Sequence, residues 1–212
     1  MGTRKQSLQL STGRPLASLA LRALLSSPLA EIAIVVHPDD PAEWLSSRME
    51  EDADHQRENI PPVHLVVSEE SSRGMSFSIR SGMQALLASR PKLDAVVIAL
   101  ADQPFVTAEM VSGLTDYWRK HTHLDFVASS LITQAGGEAV LMPPALLTRS
   151  MFGDLLQLDG DSGARGLFRL PRYRGVGLPV PKPCSLVDID TPADFELAKK
   201  LYLGGITKNQ SN

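Results

Sequence analysis

Hydrophobic residues follow two alternating patterns along the first 120 residues of the chain. Short runs rich in β-branched residues predict strands that are buried on both faces. Between these runs, apolar residues recur at spacings of three and four, which predicts amphipathic helices. The predicted strands are Ile32–Val36, Val63–Val67 and Ala95–Leu100, and the predicted helices are Pro15–Ser26, Pro41–Glu51, Ser76–Ser89 and Thr107–Lys120. This alternation is typical of a Rossmann-like α/β fold, a doubly wound, mostly parallel sheet with helices on both faces.

The pattern changes after residue 123. Glycine- and proline-rich connections separate three short apolar runs, and we expect some of these runs to form antiparallel edge strands. The runs are Phe126–Ala128, Ala139–Leu141 and Leu186–Ile189. A capping residue, Thr191, precedes Pro192 and an acid, Asp194, so a helix is predicted to begin there and to end near Tyr202.

Composition indicates one domain. Of the 212 residues, 43% are hydrophobic, which is enough for one substantial core. We expect that domain to span residues 1–203. Small and polar residues predominate in residues 204–212 and predict a flexible tail.

Charge and hydropathy narrow the class of protein. The formal net charge is −3 and no run of Lys and Arg exceeds two residues, so neither nucleic acid nor an anionic membrane is an expected partner. The longest apolar runs are too short to span a membrane. A single cysteine, Cys184, excludes an internal disulfide and a cysteine-based zinc site. Together these features predict a cytoplasmic protein.

Two acidic positions are candidate metal ligands. Asp102 follows Ala101 at the carboxyl end of the predicted strand Ala95–Leu100. Open parallel sheets bind ligands at the carboxyl ends of their strands, and a carboxylate there suits a hard cation such as Mg²⁺. Asp190 ends the run that contains Asp188, and it is better placed than Asp188 to share a cation with Asp102. Both positions have a simpler interpretation, in which Asp102 caps the next turn and either Asp190 or Thr191 caps the last helix.

Other polar segments are candidates for phosphate or substrate contacts. Two adjacent cations, Arg4 and Lys5, follow Gly2 near the N-terminus, although chain ends are commonly basic for solubility alone. A second segment, containing Gly74, Ser76 and Ser78, leads into a helix and could meet a ligand or merely cap that helix. The turn Gly160–Arg165 offers Asp161 and Arg165 to a second substrate, or caps the next helix.

Five motifs, taken in order, carry a family resemblance that covers nearly the whole chain. The chain resembles the nucleotidyltransferases that include molybdenum cofactor cytidylyltransferase and guanylyltransferase, and it is similar to the accessory proteins of purine catabolism in that family. The motifs are Met1-Gly2-Thr3-Arg4-Lys5, Gly74-Met75-Ser76-Phe77-Ser78, Asp102-Gln103-Pro104, Gly160–Arg165 and Asp188–Asp194.

The resemblance implies roles for these residues. It implies Asp102 and Asp190 as catalytic ligands of Mg²⁺ and Lys5 as a catalytic contact to the triphosphate. The nucleotide-binding residues implied are Lys5, Gly74, Ser76, Ser78 and Asp102, and the residues implied for the second substrate are Asp161 and Arg165.

The reaction implied is transfer of CMP from CTP to the molybdopterin cofactor, with release of pyrophosphate. Such a reaction would serve the maturation of a molybdenum hydroxylase such as xanthine dehydrogenase in purine metabolism. GTP in place of CTP stays open. Two alternatives are a sugar-phosphate nucleotidyltransferase and a non-catalytic accessory protein that delivers the molybdenum cofactor.

Two departures from the family pattern stand out. The opening strand and its Leu-Ala-Ala-Gly loop, which family members place before the Met-Gly pair, are absent from the sequence. Either translation begins upstream, which we favour because the other motifs are intact, or the chain is a degenerate, inactive member. In addition, Ala139 occupies the place of a family proline, which leaves the substrate less defined.

Overall fold

The computed structural model describes residues 7–11, 14–45, 60–132, 139–180 and 182–209. Within these ranges, the chain forms five α-helices, a further helical stretch at residues 43–45 and eight strands, joined in several places by short 3-10 helices. The helices are α1 (Leu16–Leu25), α2 (Met75–Ser89), α3 (Ala108–Lys120), α4 (Phe152–Leu156) and α5 (Pro192–Asn209).

The strands form three sheets. The strands are β1 (Gln9–Ser11), β2 (Arg14–Pro15), β3 (Ile32–Val36), β4 (Val63–Val67), β5 (Ala95–Ile98), β6 (Phe126–Ile132), β7 (Ala139–Thr148) and β8 (Gly175–Pro179). β1 pairs antiparallel with β2, and β3 pairs parallel with β4. The largest sheet has the order β5-β7-β6-β8.

Helices cover both faces of the largest sheet. Phe126 and Leu147 belong to the core cluster beneath α2 and α4, whereas their chain neighbours Val127 and Leu146 pack with Leu114 of α3. Adjacent strand residues point to opposite faces of a sheet, so this division places helices on each side. The predicted open α/β fold with helices on both faces is therefore confirmed.

The position of the antiparallel strand differs from the prediction. We expected antiparallel strands at an edge, but β7 lies inside the largest sheet and runs antiparallel to both β5 and β6. The segment from Ile132 to Ala139 is too short for the crossover of about a dozen residues that a parallel neighbour requires. A direct return beside β6 is the remaining solution, and β8 then pairs parallel with β6.

The C-terminal region also differs. The run Leu186–Ile189 was predicted to be a strand, but residues Pro183–Leu186 form a 3-10 helix and residues 187–190 have no strand pairing. α5 begins as predicted but continues to Asn209, past the expected end at Tyr202 and past the predicted tail boundary at Gly204. The apolar pattern of Leu186–Ile189 correctly indicated burial, because Ile189 is fully buried. The same pattern did not indicate the backbone conformation of the run.

Two further findings bear on the predictions. Most of the predicted helix Pro41–Glu51 lies outside the described residues, which resume at Ile60. In the part of the chain that the structure describes, no helix is both long and apolar enough to cross a membrane.

One carboxylate joins three strand ends of the largest sheet. Asp125 directly precedes β6 and accepts hydrogen bonds from the Ser150 hydroxyl (2.5 Å) and from the backbone N–H of Arg174 (2.8 Å). Burial raises the pKa of Asp125, but these two hydrogen bonds outweigh burial and hold the pKa below its ordinary value. The ionised form is therefore the one that stabilises this end of the sheet.

We expect Asp125→Asn to lower the free energy of unfolding by about 1 kcal/mol at pH 7, because a charge-assisted acceptor of two hydrogen bonds is lost near the surface. The folded-state pKa is depressed, so this contribution is complete above the unfolded pKa of about 3.9 and is lost as pH falls through the folded value. Urea unfolding from pH 7 down to about pH 3 should show the gap between wild type and variant narrowing in acid.

Asp116→Asn is the matched control. The ion pair of Asp116 with Arg119 is exposed on both sides, so its removal should change stability by less than about 0.5 kcal/mol. A gap for Asp125→Asn that stays constant across the pH range would contradict the role given to the ionised carboxylate.

Candidate active site

The turn that follows β5 presents an acid beside a buried amide. β5 ends at Ile98, and the Gln103 backbone N–H closes the turn on the Leu100 carbonyl (3.3 Å). Asp102 is half-buried, whereas the Gln103 side chain has no solvent-exposed surface. Pro104 directly follows and cannot donate a hydrogen bond to a strand ladder.

The segment Asp188–Asp190 is held against this turn by two hydrogen bonds. The Ile189 backbone N–H donates to the Asp102 carbonyl (3.1 Å), and the Gln103 amide Nε2 donates to Asp188 Oδ1 (2.8 Å). Ile189 itself is fully buried in a cluster with Leu10, Leu16 and Ala198. The fold therefore brings together two acidic segments that are far apart in the sequence.

Thr191 and Asp194 cap the start of α5. The Asp194 carboxylate accepts from the Thr191 backbone N–H and hydroxyl, each at 2.7 Å, while the Asp194 N–H donates back to the Thr191 hydroxyl (3.2 Å). This reciprocal arrangement satisfies the orphan amides of the first turn. Thr191, the capping residue predicted from the sequence, thus forms the cap of α5 together with Asp194.

Two glycine-containing turns contact each other at the start of α2. Gly74 has φ of +135°, and a Cβ atom there would overlap the Gly160 carbonyl group and lie 2.8 Å from the Asp161 amide nitrogen. The Ser76 hydroxyl (2.7 Å) and its backbone N–H (3.2 Å) both donate to that Gly160 carbonyl. The position thus requires glycine for its backbone conformation and for the close approach.

These contacts define what the start of α2 offers a ligand. Ser76 is 0% exposed, and its hydroxyl is used in the hydrogen bond to the Gly160 carbonyl rather than offered to a ligand. The Phe77 N–H is already hydrogen-bonded to the Gly74 carbonyl. Ser78 lies further along the helix and is half-buried. Of the two predicted nucleotide-pocket serines, Ser78 is therefore the one with exposed surface.

Of the two residues predicted to meet a second substrate, only Arg165 reaches the acidic segments. Its Nη2 lies 3.4 Å from Asp188 Oδ2, and the side chains of Arg165 and Asp188 are 48% and 25% exposed. Arg165 belongs to the 3-10 helix Ala164–Arg169, which is anchored by the buried side chains of Ala164, Leu167 and Phe168. Asp161 is exposed, and its backbone lies against Gly74.

The donor set fits a cation that takes few protein ligands. Among the residues described, no group of three or more His, Cys, Asp or Glu side chains is close enough to hold a metal ion. The Asp102 carbonyl accepts the hydrogen bond from Ile189, and Asp190 directly follows Ile189 in the chain. Mg²⁺ is commonly bound by one or two carboxylates together with substrate phosphates and water, so two aspartates on joined segments would suit it.

Sequence reasoning missed Gln103 as an individual contributor to this site. Gln103 hydrogen-bonds to Asp188, yet Gln103 was noted only as part of a motif, and Asp188 was considered only as a cation ligand less well placed than Asp190. The signal that could have identified Gln103 was its position in a turn at a strand end, directly before proline. A polar side chain at such a position is either exposed to solvent or hydrogen-bonded. Lys5 and the Ala135–Glu138 stretch that precedes Ala139 lie outside the described residues.

Comparison with solved structures supports the same fold. A homolog of Rv0371c from a Mycobacterium species is 23% identical, with a TM-score of 0.68 over 96% of this chain and 90% of that chain. Rv0371c of Mycobacterium tuberculosis, in complex with manganese, is 19% identical, with a TM-score of 0.62 and coverage of 94% and 93%. A 2-C-methyl-D-erythritol 4-phosphate cytidylyltransferase of Thermus thermophilus is 16% identical, with a TM-score of 0.60 and 94% coverage of both chains.

The comparison with family models is decisive for the class. No curated protein sequence matches the chain significantly. The model of the MobA-like NTP transferase domain matches residues 1–176, which is most of the chain and includes Asp102 and the Gly160–Arg165 turn. This chain belongs to the MobA-like NTP transferase family and is a nucleotidyltransferase that uses a nucleoside triphosphate.

Proposed function

We propose that the protein transfers CMP from CTP to the terminal phosphate of the molybdopterin cofactor, with release of pyrophosphate, in a Mg²⁺-dependent reaction. The observation that supports a transfer site here is the joining of the Asp102 turn to the Asp188–Asp190 segment through Ile189 and Gln103. This joint collects acidic groups at the end of a strand, beside the glycine turns that would border the two substrates.

The chemistry is a displacement at phosphorus. An anionic phosphate oxygen of the acceptor attacks the α-phosphorus of CTP, a new P–O bond forms, and the bond to the bridging oxygen of the pyrophosphate breaks. The nucleophile is already ionised, so no general base is needed. What the protein supplies is the relative placement of the two substrates and compensation of their negative charge.

Asp102 and Asp190 are the residues that would hold the cation. When bound, Mg²⁺ neutralises charge on the phosphate oxygens of the nucleotide. Asp102 is held in place through its own carbonyl, which accepts from Ile189, so its position depends on the segment that carries Asp190. The manganese complex of Rv0371c supports divalent-metal use in a protein of this fold.

The remaining contacts are divided between the two glycine turns. Ser78, near the start of α2, would contact the nucleotide, while Gly74 and Ser76 would shape that pocket by fixing the Gly160 turn. Lys5 would compensate charge on the leaving pyrophosphate. Gln103 contacts Asp188 Oδ1, whereas Arg165 lies near Asp188 Oδ2. Arg165 would face the acceptor.

A sugar- or polyol-phosphate acceptor is the second candidate. It is favoured by the likeness to 2-C-methyl-D-erythritol 4-phosphate cytidylyltransferase, whereas molybdopterin is favoured by the order of the sequence motifs. Transfer to molybdopterin would serve a molybdenum hydroxylase such as xanthine dehydrogenase. A non-catalytic role in carrying that cofactor is the outcome if nucleotide binding is absent.

The proposal is tested by calorimetric titration of CTP and of GTP, with and without Mg²⁺, followed by an assay of pyrophosphate release. The assay compares the molybdopterin cofactor with 2-C-methyl-D-erythritol 4-phosphate as acceptor. We expect metal-dependent CTP binding and release of pyrophosphate only with molybdopterin. Release with the polyol phosphate alone would give the second candidate, and cofactor binding without any nucleotide binding would give the carrier role.

We expect Asp102→Asn to abolish metal-dependent pyrophosphate release while leaving the thermal unfolding midpoint nearly unchanged. The amide keeps the shape of the side chain but removes the charge that a hard cation requires. The matched control is Asp116→Asn on the exposed surface of α3, which should retain full activity. Turnover by Asp102→Asn at the wild-type rate would remove the metal assignment.

Lys5→Ala should raise the KM for CTP by about tenfold, since one charged contact to the triphosphate is lost. The KM for the acceptor should stay within about twofold. Lys92→Ala, at an exposed position remote from both glycine turns in sequence, serves as the charge-matched control. A lowered unfolding midpoint with an unchanged KM would assign Lys5 to stability rather than to phosphate binding.

A further inference from the structure

The Asp188 carboxylate connects the metal-site turn to the acceptor-side turn. Its Oδ1 accepts from the Gln103 amide at 2.8 Å, and its Oδ2 lies 3.4 Å from the Arg165 guanidinium. We propose that Asp188 is a positioning residue, oriented by Gln103, that holds Arg165 to bind the phosphate group of the acceptor. This inference rests on the proposed function, because it names the group that recognises the phosphorylated substrate.

The Gln103 end of this connection is rigid. The Gln103 side chain is 0% exposed, and its Nε2 donates to Asp188 while its Oε1 is buried without a partner among the described residues. An amide in that situation has one strong interaction, and losing it would leave both of its polar atoms buried and unsatisfied. Gln103 therefore fixes the orientation of the Asp188 carboxylate.

The Arg165 end is anchored at its backbone and open at its tip. Ala164 and Leu167, on either side of it, are buried in the main core, whereas the Arg165 side chain is 48% exposed. Asp188 occupies one edge of the guanidinium, which leaves further N–H donors directed away from the carboxylate. A planar group with fixed donors suits a phosphate better than a lysine ammonium does.

The two aspartates of the Asp188-Ile189-Asp190 segment would then have different tasks. Both oxygens of Asp188 already accept protein donors, so Asp188 is poorly suited to hold a cation, the role that the proposed function gives to Asp190. Arg165 also offsets the charge of Asp188. Without this compensation, the carboxylates around Asp102 would repel an incoming phosphate.

The test uses inorganic phosphate as the probe, titrated against the full chain without nucleotide or metal and followed by ³¹P NMR. Arg165→Lys should weaken phosphate binding by about fivefold, because the charge is kept but the planar donor geometry is lost. Arg169→Lys, at an exposed arginine on the same 3-10 helix, is the matched control and should bind phosphate as the wild type does.

Asp188→Asn separates positioning from simple electrostatics. The variant removes a negative charge from the site, so an electrostatic role predicts tighter phosphate binding, whereas a positioning role predicts weaker binding. We expect weaker binding, and we expect the double variant Asp188→Asn/Arg165→Lys to be no weaker than Arg165→Lys alone, because Asp188 acts through Arg165. Tighter binding by Asp188→Asn, or effects that multiply in the double variant, would overturn the proposal.

Steady-state kinetics provides a second readout with the acceptor that supports pyrophosphate release. Asp188→Asn and Arg165→Lys should raise the KM for that acceptor and leave the KM for CTP within about twofold. Equal changes in both KM values would instead indicate a general loss of structure. Phosphate binding is measured without CTP, so a failure of the proposed transfer reaction would leave the Arg165 result interpretable on its own.

Discussion

The hydrogen bond from the Ile189 amide to the Asp102 carbonyl is the contact that holds the two acidic segments, the Asp102 turn and Asp188–Asp190, together. It ties the segment before α5 to the turn after β5, and the burial of Ile189 against Leu10 and Leu16 holds it in place. A buried amide that lost this acceptor would cost about 1–3 kcal/mol, so the joint resists opening. The contact between the segment that carries Asp190 and the turn that carries Asp102 follows from this joint.

Much of the fold could be predicted from local patterns. Five elements lie within a few residues of their predicted limits, namely α1, α2, α3, β3 and β4. Their limits could be predicted because the periodicity of a helix or strand depends only on residues that are close in the sequence. The interior position of β7 could not be predicted in the same way. Which strands pair depends on the lengths of the chain connections and on long-range hydrogen bonds, and the apolar pattern of a single run contains no information on either. For the same reason, an apolar run before α5 indicated burial but not its irregular backbone.

The candidate site shows a similar division. Motif order singled out Asp102, Asp190 and Arg165, and the structure places the last of these beside Asp188 and the first two on adjacent segments. The pairing of Gln103 with Asp188 was not predictable, because it joins residues that are 85 positions apart in the sequence. Ser76 illustrates the converse: a hydroxyl at a helix start suggested a ligand contact, and the structure gives that hydroxyl to the Gly160 carbonyl.

The backbone-to-backbone contact of Gly74 with Gly160 has a consequence for evolution and engineering. With no room for a Cβ atom between them, the loop that leads into α2 and the turn that precedes Arg165 form one mechanical unit. A new acceptor specificity could not be introduced by grafting the Gly160 turn alone, because a foreign turn would have to match the surface of the Gly74 loop. Chimeras that exchange both loops together should be the ones that keep the native fold.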